Sequence, residues 1–231
     1  MLTCCWDSML AILSVGVKGD QNTVPQSLHA LHNAALLCNA TGLQRRSGTV
    51  FSLLSNACCN SQDEKPSLLA SYALSLDVLL SRSLELASHA PQSWPHVLKC
   101  CLHVSRLEHL MAYSQSTKTA SKINGKSQDS QELTVSVLEG DVASLIGDLS
   151  GVSVLPQTTA AAVLCILSHH IDRLFDDAAV KLKLNSLLSF CSAVCTSSEK
   201  QLRVSPAGSN GLSTGNNKDG VKLPIGWWWN S

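Results

Sequence analysis

Apolar residues in this chain recur at the spacing of one helix face, segment after segment, and Pro, Gly or Asn punctuates the joins. Near the N-terminus Trp6, Met9, Leu10, Leu13 and Val17 follow an i, i+3, i+4, i+7 pattern, which predicts a helix over 3–17 ending at "KGD". In "TVPQSLHALHNAALLCNATG" Pro25 suits a first turn and Gly42 lies just past the end. A third helix is expected over 47–58. "KPSLLASYALSLDVLLSRSLELASHA" predicts a fourth, from Pro66 to about Ser88, where "APQSWP" breaks it. "SWPHVLKCCLHVSRLEHL" carries the fifth. Period-two alternation, the mark of strands, is almost absent.

After Tyr113 the sequence turns polar in "SQSTKTASKINGKSQDSQE", which predicts a low-complexity linker over 115–132. Beyond it come a short helix in "VLEGDVASLIGDLSGVSVL", a long one after Pro156, and a last one from about Asn185. The Gly/Asn/Ser-rich residues 204–231 read as a disordered tail, Trp227, Trp228 and Trp229 notwithstanding. The expectation is all-α: antiparallel helical repeats over 1–114 and 133–203, forming a HEAT/armadillo-like α-solenoid segment. No exact repeat is visible, and arrays of that kind carry only weak repeats of about 40–47 residues.

Composition narrows the function. The chain has 231 residues, 45% hydrophobic, which is enough to bury a sizeable core. Lys+Arg and Asp+Glu balance at 17 each, so no basic field is present to attract nucleic acid. Of ten cysteines, six form the adjacent pairs Cys4-Cys5, Cys58-Cys59 and Cys100-Cys101, which suit disulfides poorly. No secretory signal pattern stands at the start, and the apolar runs fall below the ~18 residues of a membrane-spanning helix. These features predict a reduced, intracellular, soluble chain.

Three clusters invite a chemical reading. His96, Cys100 and His103, at i, i+4, i+7, fall within an arc of about 60° on a helix. Two could share a zinc, with Cys191 and Cys195 as imaginable partners, but one straight helix rarely offers the three or four convergent ligands zinc needs. Packing explains the arc better: Val97, Cys100, Cys101, Val104, Leu107, Leu110 and Met111 form an apolar face, and cysteine behaves as a small hydrophobe. Ser93 is expected to cap this helix, Trp94 to staple it, and Pro95 to sit in its first turn. Cys165, His169 and Asp172 resemble a thiol relay in type, yet side by side on one helix they point outward. Phosphate-binding and nucleophile-elbow motifs are absent. In "HHIDRLFDDAAVKLKL" Asp172, Asp176 and Asp177 can pair with Arg173, Lys181 and Lys183, while Ile171, Leu174, Phe175 and Ala178 form the buried side.

The order of "W..ML.ILSVGV", "SWPHVLKCCLHVSRLEHL", a low-complexity insert and "HIDRLFDDAAVKLKLNSLLSFCSAVCTSSEKQL" resembles the region downstream of the catalytic domain in the large brefeldin A-inhibited guanine nucleotide-exchange proteins, which act on Arf GTPases. The first block is carried by Ser93, Trp94, Val97, Leu98, Lys99, Cys100, Leu107, Glu108 and Leu110. The second is carried by Asp172, Arg173, Phe175, Leu184, Leu187, Phe190, Cys195 and Leu202. Details such as "SWPHVLKC" are most similar to a divergent member of the group. The resemblance covers residues 1 to about 202.

It implies a non-catalytic part. Exchange in that family depends on an upstream domain with an acidic loop of the type "F.LPGE.Q.I.R", which this chain lacks. The resemblance therefore implies no enzyme activity, no catalytic residue and no cofactor. The implied partners are an Arf-family GTPase or other proteins, and neighbouring helical repeats of a longer protein of which this chain reads as a fragment. The implied location is cytoplasmic, peripheral to Golgi or secretory membranes and held there only through partners. An unrelated helical scaffold and a thiol or zinc protein are the alternatives.

Overall fold

The computed structural model describes residues 2–18, 23–59, 67–119, 141–147 and 154–204. They form helices α1 (Leu2–Gly16), α2 (Thr23–Ala40), α3 (Gln44–Cys58), α4 (Ala70–Ser81) and α5 (Ser83–Ala87). A 3-10 turn (Pro91–Ser93) leads into α6 (Trp94–Thr119), followed by α7 (Val142–Gly147), α8 (Gln157–Lys181) and α9 (Leu184–Val204).

Several boundaries lie where punctuation residues put them. Gly42 adopts φ +75°, and Leu43 N–H returns to Cys38 O at 2.7 Å, the αL termination that glycine makes inexpensive. Asp141 accepts Ala143 N–H at 3.4 Å and caps α7. Pro156 precedes α8, its carbonyl taking Ala160 N–H at 2.8 Å.

Three features depart from the periodicity. The helix expected over 66–88 is two helices. Its start is displaced because Leu69 pairs with Val154 in an antiparallel bridge and Leu68 O accepts Leu155 N–H at 2.9 Å, which holds this segment extended. It then breaks at Arg82 (φ −107°, ψ 4°), where Ser83 Oγ donates back to Leu80 O at 2.8 Å. Leu79, Leu80, Leu86 and Ala87 are buried on both sides of the break, so the apolar pattern runs through it unmarked. Secondly, α6 continues to Thr119, into the span read as linker. No Gly or Pro intervenes before Gly125, and extending an existing helix costs little. Residues 120–140 and the tail after 204 lie outside the described residues. Thirdly, Ser93 ends the 3-10 turn and is fully buried, and its Oγ has no hydrogen-bond partner among the described residues; it does not cap α6.

Contacts pass along the array: α1 on α2, α2 on α3 and α4, those two on α6, α4 on α8, and α6 on α8 and α9. One continuous apolar core follows the same path, through Trp6, Leu31, Phe51, Leu76, Leu79, Trp94, Val104, Leu167 and Phe190. Each fully buried Leu or Val in it contributes about 1.5–3 kcal/mol. The fold is all-α, a HEAT/armadillo-like stack of helices, and the helices on either side of 120–140 share its core.

The first joint is held at close range. Trp6 is buried, its Nε1–H donates to Thr49 Oγ1 at 3.3 Å, and the Arg46 guanidinium lies 5.7 Å above its ring. At the other end of α1, a Cβ added to Gly16 would overlap Ser27 Oγ and lie 3.0 Å from Ser27 Cβ. Gly16→Ala is therefore expected to destabilise the chain by about 1–3 kcal/mol in urea unfolding, and Ser27→Gly added to it to recover most of the loss. A neutral G16A variant would contradict this packing of α1 on α2.

Candidate functional site

The His/Cys arc of α6 faces α3. His96 Nδ1 lies 3.2 Å from Ser55 Oγ, Cys100 Sγ lies 3.6 Å from Cys59 Sγ, and Lys99 Nζ donates to Asn56 Oδ1 at 3.1 Å. Steps of four on both helices keep one offset, so α3 and α6 run side by side in the same direction. Val97, Cys100, Cys101, Val104, Leu107 and Met111 are buried as the arc requires. Leu110 is not: it is 38% exposed, because it falls about 60° beyond Leu107 around the helix. Burial pushes the Cys101 thiol up to about 12, and raises Cys58 further still. These are packing thiols rather than nucleophiles. Ser55, Asn56 and Cys59 went unread in the sequence, where nothing marks which segment an amphipathic face will meet.

The lower end of α6 meets α9. Trp94, fully buried, lies edge-to-face against Phe190, with centroids 4.9 Å apart at 71°. Phe190 in turn meets Phe175 of α8 at 5.4 Å and 60°. Leu98 packs in the same core. Two polar contacts lie farther along these helices: Ser186 Oγ donates to Ser88 O at 2.9 Å, and Ser168 Oγ donates to Glu108 Oε2 at 3.1 Å. Trp94, Leu98, Lys99, Cys100, Leu107, Glu108, Phe175 and Phe190 thus all sit on helix interfaces, while Asp172 and Arg173 face solvent.

Arg173 opens onto a cleft of about 560 Å³ between the α4–α5 elbow and α8. Arg82, Glu85, His170, Asp177 and Lys181 line it alongside Arg173. Asp177 is tied by Lys181 at 2.7 Å and Arg173 at 3.6 Å, and the Lys181 hydrogen bond holds its carboxyl below the usual value. His170 Nε2 stands 3.1 Å from Asp77 Oδ1, joining α8 to α4. The cleft carries charge of both signs. The sequence read Asp172, Asp177, Arg173 and Lys181 as helix-face pairs, and missed Arg82 and Glu85, which only the helix break brings opposite them.

Two curated proteins were found similar. The brefeldin A-inhibited guanine nucleotide-exchange protein 3 of Mus musculus is 26% identical over 246 residues, covering 79% of this chain. The protein of the same name from Homo sapiens is 30% identical over 169 residues, covering 58%. This chain is similar to proteins named as brefeldin A-inhibited guanine nucleotide-exchange proteins. It spans about a tenth of these relatives' length, 11% of the mouse protein and 8% of the human one. No family model matches the chain, and no solved structure matches it.

The remaining chemical candidates stay apart. Among the described residues no three His, Cys, Asp or Glu side chains are grouped to hold a metal ion, and Cys191 and Cys195 lie exposed on α9, away from the α3–α6 seam. Cys165 is half-buried whereas His169 is exposed. All ten cysteines are free thiols, and among the described residues no helix is long and apolar enough to cross a membrane.

The seam has a pH signature. Burial, then Lys99, holds the His96 imidazole below its ordinary value, and burial, then Arg106 and Lys99, does the same to His103. A depressed histidine stays neutral in the folded chain while the unfolded chain takes up its proton near pH 6.5, so folding stability falls as pH drops through that value. Asp177 titrates well below this window. The urea midpoint is expected to be lower at pH 5.5 than at pH 7.5, with the difference reduced in a His96→Asn, His103→Asn variant. A midpoint that holds or rises at pH 5.5 would contradict the burial of these rings.

Proposed function

We propose that this chain is a non-catalytic helical-repeat segment of an Arf exchange-factor-like protein, regulating Arf GTPase signalling and vesicle traffic through protein contacts. The observation that carries the reading is its similarity to proteins named as guanine nucleotide-exchange proteins. The positions on which the resemblance rests support a structural role, since Trp94, Glu108, Phe175 and Phe190 join α6, α8 and α9 while Lys99 and Cys100 join α6 to the α3 segment. On this reading residues 115–132 link two parts of one array, and the Arg82–Arg173–Lys181 cleft is a face on which a GTPase or another protein docks.

The ends of the stack fit an array that continues. Leu184, Leu188 and Leu202, with Cys191 and Cys195, make one outward stripe on α9, and Ile12 and Val15 another on α1; the leucines are 60–70% exposed. Repeat stacks cover such stripes with the next helix pair. The location that goes with this role is cytoplasmic, at Golgi-type membranes, through partners alone.

The test loads an Arf GTPase with a fluorescent nucleotide and adds the purified chain. Release at the uncatalysed rate is expected, together with binding to the immobilised GTPase that an Arg82→Glu, Arg173→Glu variant loses. Accelerated release would overturn the non-catalytic reading, and binding indifferent to the charge reversal would remove the cleft from it.

A further inference from the structure

Cys59 and Cys100 are 41 residues apart in sequence and belong to different helices, yet their sulfurs are in contact at 3.6 Å. Closing to the ~2.05 Å of a disulfide needs a movement of about 1.5 Å, within reach of side-chain rotation. Cys59 is the residue just past α3, with φ −104° and ψ 10°, its N–H still closing the last turn on Ser55 O at 2.9 Å. The two thiols also differ in kind. Cys100 is fully buried, whereas Cys59 is partly open to solvent.

We propose that Cys59 and Cys100 form a hydroperoxide-responsive dithiol, Cys59 the attacking sulfur and Cys100 the resolving one, whose disulfide staples α3 to α6. The Cys59 thiolate attacks the peroxide O–O bond. An S–O bond forms, the distal oxygen leaves and is protonated to water, and Cys59 becomes a sulfenic acid. Cys100 sulfur then attacks the Cys59 sulfur, the S–O bond breaks, the thiol proton goes with the departing hydroxide, and a second water leaves. Two electrons pass from the thiol pair to one peroxide.

The surroundings favour that division of labour. The hydrogen bond from Cys100, then the nearby Lys99 charge, draw the Cys59 thiol below its ordinary value, against both its burial and the carbonyl end of α3. The same shared proton, with burial, raises Cys100 well above it. Lys99 is fixed in place by Asn56 one turn earlier on α3. Exposed Cys4, Cys5, Cys191 and Cys195 serve as internal references, since no partner thiol faces them among the described contacts.

The experiment treats the reduced, folded chain with a small excess of hydrogen peroxide, alkylates the remaining thiols, and maps the peptides by mass spectrometry. A Cys59–Cys100 cross-link, lighter by two hydrogens than the separate peptides and reversed by dithiothreitol, is expected before the exposed cysteines oxidise. Its formation should raise the thermal unfolding midpoint by roughly 5–15 °C. In Cys100→Ala, a dimedone adduct should appear on Cys59 instead. The proposal is overturned if Cys59 remains alkylatable once Cys191 and Cys195 are oxidised, if Cys58 or Cys101 takes its place in the cross-link, or if urea-unfolded chain cross-links equally fast.

Discussion

Phe190 lies edge-on to both Trp94 and Phe175, and the stack depends on that contact. The sequence has only 4% aromatic residues, so few rings are on hand to close the core. Three of them meet here, from α6, α8 and α9, and bring together segments on either side of residues 120–140. Aromatic pairs in this geometry add about 0.5–1.5 kcal/mol beyond the area they bury. Elsewhere Glu108–Ser168 ties α6 to α8, and Ser88–Ser186 ties the end of α5 to α9.

From that joint follows the character of the molecule. A helical stack gives long, stiff faces rather than enclosed pockets, and its polar side chains are spent in two ways. Those on interfaces, such as His96, Lys99 and Cys100, pair with a neighbouring helix. Those on the rim, such as Arg82, Arg173 and Lys181, stay where another protein can reach them.

Much of this was legible in the residues. Helices announce themselves by period, and Pro25, Gly42 and Pro156 mark their ends because each has one backbone preference that helix termini share. What stayed hidden was set by partners distant in sequence. Leu69 is extended because Val154 pairs with it, a contact no local pattern encodes. The break at Arg82 is silent because leucines are buried on both sides of it. Ser93 looked like a cap by type, but the preceding 3-10 turn buries it. The His/Cys arc of α6 was read as packing, and two of its members prove to be selective: His96 meets Ser55 and Cys100 meets Cys59, an arrangement visible only once both segments are placed.

Trp94 and Phe190 should make the two blocks flanking residues 120–140 one cooperative unit. A double-mutant cycle of Trp94→Leu and Phe190→Leu in urea unfolding tests it most directly. A single transition is expected in all four proteins, with a coupling of about 0.5–1.5 kcal/mol between the two sites. Strictly additive losses, or separate transitions for the two blocks in the unsubstituted chain, would contradict it.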